Sequence, residues 1–93
     1  MRYTYKQSKN LLHQTIPVAL GTDGVCSNNS ADLFETMKTT ALVQKMLNND
    51  PCLLPARQVL EMATQAGLAS QGRAGEAGML RCGMDADLIA LDR

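Results

Sequence analysis

Ile16-Pro17-Val18-Ala19-Leu20-Gly21-Thr22-Asp23-Gly24 is the stretch on which the fold of this 93-residue chain turns. A compact apolar run ends at a glycine. Runs of this length bounded by turn residues suit a strand buried on both faces, as in a parallel sheet. Proline has no N–H for a ladder, so Pro17 is tolerable only near the first residue of such a strand. The pattern therefore predicts a strand over 17–21 and a loop over 21–24. The carboxyl ends of strands are where α/β barrels and open sheets assemble their sites. Asp23 stands there between glycines that let backbone or ligand come close. Its carboxylate can bind a divalent cation, accept a proton from metal-bound water, or both. The bland alternative is an Asp that hydrogen-bonds its own backbone in a turn.

Downstream, Ser27-Asn28-Asn29-Ser30 extends the loop. Asp32 followed by Glu35 reads as a capping box, each side chain satisfying a free N–H at a helix start. Leu33, Phe34, Met37, Ala41, Leu42 and Met46 then recur at three- and four-residue steps, which predicts one apolar stripe on a helix over about 31–48. Asn48-Asn49-Asp50-Pro51 ends it. Pro55, with its fixed φ, suits the first turn of a second helix over about 55–66. Gly67 is the expected stop. Residues 67–84 are rich in glycine and without a period, and 87–91 reads as a short strand. Residues 2–14 suggest a weak helix ending at Leu11-Leu12. A strand buried on both faces needs neighbours on both sides, and this sequence offers at most one other.

Composition narrows the function. Nine basic and nine acidic residues cancel without a run of like charge, so the basic face of a nucleic-acid binder is missing. The apolar runs fall far short of the ~20 residues of a membrane span, and the N-terminus lacks the apolar core of a signal peptide. Three scattered cysteines fit reduced thiols better than a disulfide framework or a zinc site. These features predict a cytoplasmic, soluble chain with neither nucleic acid nor membrane as partner. Leu, Ile, Val and Phe together make only 20 of the 93 residues, close to the ~20% below which chains tend towards disorder. Six Met and many Ala fill the remainder, and such side chains specify a unique core weakly.

Several strings together resemble the amidohydrolase superfamily. They are Val18 to Gly24, Ser27-Asn28-Asn29, Asp32-Leu33-Phe34-Glu35 with Met37, Leu54-Pro55-Ala56-Arg57, Val59 to Thr64, and Gly83 to Asp92. The nearest branch holds the methylthioadenosine/S-adenosylhomocysteine deaminases, guanine deaminase and the triazine hydrolases. The likeness runs from about residue 10 to residue 92, in the family's order and spacing. It implies an α/β, helix-rich fragment of a metal-dependent hydrolase (β/α)8 barrel. Residues 1–66 would be the end of the barrel region, with its last strand and following helices. Residues 67–93 would be the return segment towards a small β-sandwich, ending in one of its strands. A complete barrel needs roughly 250 residues.

The resemblance also implies chemistry. The residue matching Asp23 ends the eighth barrel strand, ligates a catalytic zinc or iron, and shuttles a proton as metal-bound hydroxide attacks a C–N carbon. Ser27 and Asn28 match a loop at the pocket mouth, where substrate contact is implied; a polar loop capping the next helix is the alternative. The family's other ligands are His residues after the first, fifth and sixth strands. His13 matches none of these and reads as a surface or core-edge residue. Met84 stands where the family usually has Lys, and Ala66 where Asn is common. A zinc site needs about three protein ligands, so the chain alone is expected to bind no metal and to be inactive. It is read as the C-terminal part of a deaminase-like hydrolase acting on a nucleoside, purine or triazine-type ring. The alternative is a self-associating, non-catalytic module. Unpaired strand edges predict a homo-oligomer in either case, with elements exchanged between copies.

Overall fold

The computed structural model describes residues 16–92, which hold four helices: α1 (Val25–Asn28), α2 (Leu33–Asn48), α3 (Ala56–Ala63) and α4 (Gln65–Ser70). The expected helix over 2–14 and His13 lie outside the described residues.

The start of α2 follows from Asp32. Its Oδ1 accepts from the N–H groups of Phe34 at 2.8 Å and Glu35 at 3.3 Å, two donors that a helix start leaves without partners. Only half of the expected capping box forms, because the Asp32 N–H donates to Ser30 Oγ at 3.0 Å. At the other end Asn49 takes a left-handed conformation, φ 50°, and its N–H returns to the carbonyls of Lys45 and Met46. Asparagine tolerates this region better than most residues. The helix thus runs where its periodicity placed it.

The stripe on α2, however, is two stripes. Leu33, Met37 and Ala41 are half-buried, and Gln44 between them and Asn48 is fully buried. Leu42 and Met46 are 56% and 71% exposed on the opposite side, and Phe34, which lies at the edge of the buried row seven residues before Ala41, is 48% exposed. At ~100° per residue, steps of three and four drift around the helix far enough to serve both faces.

The second predicted helix is broken in two. α3 ends at Ala63, Thr64 leaves helical geometry at φ −121°, ψ −91°, and α4 resumes at Gln65. Gly67 lies inside α4 and does not stop it. Pro55 sits one position earlier than expected, as the cap of α3. The glycine-rich segment that follows packs against this break. Gly78, at φ +91°, brings its Cα so close to α4 that an added Cβ would stand 3.1 Å from Gln65 Cα and N.

Neither predicted strand forms among the described residues. Segments 16–24 and 85–92 form neither helix nor ladder. Leu20 N–H donates to Met62 O at 3.0 Å, tying the first segment to a helix, and Asp85 N–H donates to Glu76 O at 2.8 Å. A strand exists only with a neighbour, and nothing in 16–92 supplies one. The expected α/β class is therefore realised among the described residues as helices plus two irregular segments without ladder partners.

The core is small. Leu54, Val59 and Met62 are buried, with Val18, Leu20, Met37, Ala41 and Leu53 packed against them. Leu54, at 1% exposure, holds φ +51° in the turn before α3. A bulky residue rarely adopts that region. Asp50 stabilises the same turn by accepting from Cys52 N–H at 2.9 Å. No described helix is long and apolar enough to cross a membrane.

Candidate active-site loop

Segment 16–20 is anchored to the core through Val18 and Leu20, so the loop that follows is carried on a fixed element. Asp23 sits in that loop with φ +59°. Its Oδ1 accepts from Gly24 N–H at 2.7 Å, and its carbonyl accepts from Thr22 Oγ1 at 3.2 Å. The predicted turn role is thus real, and it does not consume the carboxylate. Oδ2 has no hydrogen-bond partner among the described residues. An Asp with one oxygen pinned by a backbone amide and the other open is suited to one-point contact with a cation or a proton.

Gly24 then caps α1, the short helix that replaces the expected irregular loop. Ser27 and Asn28 ride on α1, both exposed. Ser27 N–H and Asn28 N–H donate to Gly24 O at 2.9 and 3.0 Å, which ties their backbone to the residue after Asp23. Asn28 Nδ2 donates to Ser30 O at 3.3 Å, so this side chain shapes the link to α2, and Asn29 ends α1 at φ +62°. The three candidate residues are therefore joined by one hydrogen-bonded turn. Sequence reasoning missed α1 because four residues carry no periodicity. The two asparagines, of which Asn29 supplies the left-handed end, were its one available signal.

Among the described residues no three His, Cys, Asp or Glu side chains come together. Asp23 fits the part of a single oxygen ligand and no more. Cys26, one residue into α1, is exposed and free, as are Cys52 and Cys82. A cavity of about 390 Å³ opens elsewhere, between segment 16–18, α3, α4 and the glycine-rich segment. Met62, Gln65, Met79 and Met84 line it, whereas Asp23, Ser27 and Asn28 do not. Glu61 also lines it.

With the loop in view, the relationship to known proteins is clear. The amidohydrolase family model matches residues 5–93, and the chain belongs to that family. Over 82 residues it is 52% identical to the 5'-deoxyadenosine deaminase of Methanosarcina mazei, covering 88% of this chain and 18% of that enzyme. The 5-methylthioadenosine/S-adenosylhomocysteine deaminase 1 of Syntrophus aciditrophicus is 46% identical over 82 residues, with the same shares covered. An adenosine deaminase from Xanthomonas campestris, solved with bound zinc, superposes with a TM-score of 0.79 at 35% identity, over 83% of this chain and 18% of that one. The chain thus spans 18% of the length of these relatives.

Proposed function

We propose that this chain furnishes the Asp23-bearing part of a metal-dependent amidohydrolase that removes an amino group hydrolytically from a nucleoside or purine-type ring. Residues 1–66 belong to the end of its barrel region and 67–93 to the return towards a β-sandwich. The observation that carries the reading is the half-engaged carboxylate. Oδ1 is held by Gly24 N–H at 2.7 Å, which leaves Oδ2 to act. The relatives named above, all nucleoside deaminases, supply the reaction class.

A zinc or iron ion, when bound, supplies the polarised water that such a reaction needs. Asp23 would hold that ion through a carboxylate oxygen, and its carboxylate would be the group that accepts a proton. The Gly24 amide keeps the carboxylate in one orientation throughout. Ser27 and Asn28 stand on the adjoining turn, where substrate hydroxyls or ring nitrogens can be met. Catalytic zinc has about three protein ligands, and Asp23 is one. The 93 residues by themselves therefore turn over nothing, and the remaining ligands come from polypeptide outside them. The exposed outer face of α2 favours the second reading, a self-associating non-catalytic module.

A graft separates the two. The 82-residue match is placed in the M. mazei 5'-deoxyadenosine deaminase in exchange for its own segment, and ammonia release and zinc content are measured. The graft should deaminate 5'-deoxyadenosine, and Asp23→Asn in it should lower the rate by about 1,000-fold, within the range for loss of a positioned proton acceptor. A zinc-loaded graft without turnover, or one indifferent to Asp23→Asn, would remove the deaminase reading.

A further inference from the structure

The peptide unit that joins Asp23 to Gly24 is gripped at both ends. Its N–H, from Gly24, donates to Asp23 Oδ1 at 2.7 Å, and its carbonyl, from Asp23, accepts from Thr22 Oγ1 at 3.2 Å. Asp23 holds φ +59°, a left-handed conformation that few residues other than Gly, Asn and Asp adopt. Beyond Gly24 the chain is tied down, because Gly24 O accepts from Ser27 and Asn28 N–H at 2.9 and 3.0 Å. Before Thr22 it is tied down as well. Val18 and Leu20 pack on the core, and Leu20 N–H donates to Met62 O at 3.0 Å.

Between these anchors the freedom that remains is rotation of the Asp23–Gly24 peptide plane. Its rotation decides where the Gly24 N–H points, and so which way the carboxylate is held. Packing does not fix it. Asp23 and Gly24 are both exposed, and nothing lies within 4 Å of the place a Gly24 Cβ would take. Thr22 is half-buried, and its branched Cβ leaves χ1 little freedom, so its hydroxyl is presented to the Asp23 carbonyl at small entropic cost.

We propose that Thr22 is a positioning residue, whose hydroxyl fixes the peptide plane that in turn orients the Asp23 carboxylate. It rests on the deaminase reading for its effect on turnover, whereas the orientation itself is a property of the turn. Two measurements keep these apart. The first is made on the 93-residue chain, labelled with nitrogen-15. An N–H that donates to a carboxylate shifts as that group ionises, so the Gly24 amide is followed from about pH 2 to 7. It should move several-fold further than the amides of Gly67 and Gly72, which donate to the carbonyls of Thr64 and Ala69. Thr22→Val keeps the shape and loses the hydroxyl, and should shrink the Gly24 excursion by about half or more. Thr22→Ala should do the same, and Thr22→Ser should keep most of it. Unmoved Gly67 and Gly72 amides show that each variant is folded. The second measurement uses the graft in the M. mazei enzyme, where Thr22→Val should lower kcat by about tenfold with KM within about twofold, as for a misplaced reacting group. Thr22→Ser should recover most of the rate. A Gly24 amide that titrates alike in wild type, Thr22→Val and Thr22→Ala overturns the proposal, whatever the graft does. So does a graft indifferent to Thr22→Val but disabled by Asp23→Asn. An inactive wild-type graft beside a Thr22-dependent amide shift would remove the deaminase reading and leave the positioning role standing.

Discussion

Gly78 offers the sharpest test of how the second half of the chain is held. Its φ of +91° is one that residues with a side chain rarely adopt. Its Cα lies against the break between α3 and α4, where a Cβ would meet Gln65 Cα and N at 3.1 Å and Thr64 C at 3.3 Å. All three are backbone atoms that cannot rotate away. In Gly78→Ala the left-handed conformation costs about 1–2 kcal/mol, and the crowding adds about 1–3 kcal/mol of the kind seen on overpacking. The sum is roughly 2–5 kcal/mol, which for a domain of this size lowers the melting temperature by roughly 8–40 °C. Gly72 provides the control. It too has positive φ, +75°, but nothing lies within 4 Å of its would-be Cβ, so Gly72→Ala should cost only the conformational part, about 1–2 kcal/mol. Thermal melts of both variants at one protein concentration, followed at 222 nm, measure the difference. Equal losses in the two variants would mean that the Gly78 backbone does not press on Gln65.

Two further outcomes are expected. Asp32→Ala removes the acceptor for Phe34 and Glu35 N–H, and should cost about 1 kcal/mol in urea unfolding; Asp32→Asn, which can still accept, should cost less than half of that. Leu54→Ala should destabilise by about 2–4 kcal/mol through the lost core side chain. Leu54→Gly should be no worse, because glycine accepts φ +51° without strain; a Gly variant clearly less stable than the Ala variant contradicts that account of the turn.

Much of the architecture could be read from the sequence, where the signal was local. The Asp32 cap and the Asn49 exit bound α2 with side-chain and backbone chemistry contained within a few residues, and the periodicity between them is long enough to be unambiguous. The family likewise followed from strings such as Val18 to Gly24 and Gly83 to Asp92. What stayed hidden depends on contacts between segments distant in sequence. Gly67 carries every local mark of a helix stop yet lies inside α4, while the glycine packed against the break at Thr64 is Gly78, eleven positions later. Leu54 has no sequence mark of a left-handed residue; its conformation is the consequence of driving its side chain into the core beside Val59 and Met62. The stripe on α2 misled for a different reason. Counting apolar steps of three and four does not distinguish one wide face from two narrow ones, although Met37 and Leu42, five residues apart, already stand about 140° apart around the helix.

The two failed strands carry a physical lesson about the candidate site. Segment 16–24 opens with the composition of a buried strand, but its Leu20 N–H donates to a helix carbonyl, and no strand lies beside it among the described residues. Hydrogen bonding in a sheet is a property of pairs, so composition can announce a strand that these residues cannot complete. The Asp23 turn is different in kind. Its defining contacts, Gly24 N–H to Oδ1 and the amides of Ser27 and Asn28 to Gly24 O, close within six residues and need no neighbour. The loop can therefore keep its geometry while the sheet that would carry it is incomplete. That separation is what makes the graft a fair test of function. A host that supplies the missing strand neighbours receives a turn already formed, so loss of turnover on Asp23→Asn would report the chemistry of one carboxylate rather than the assembly of the loop.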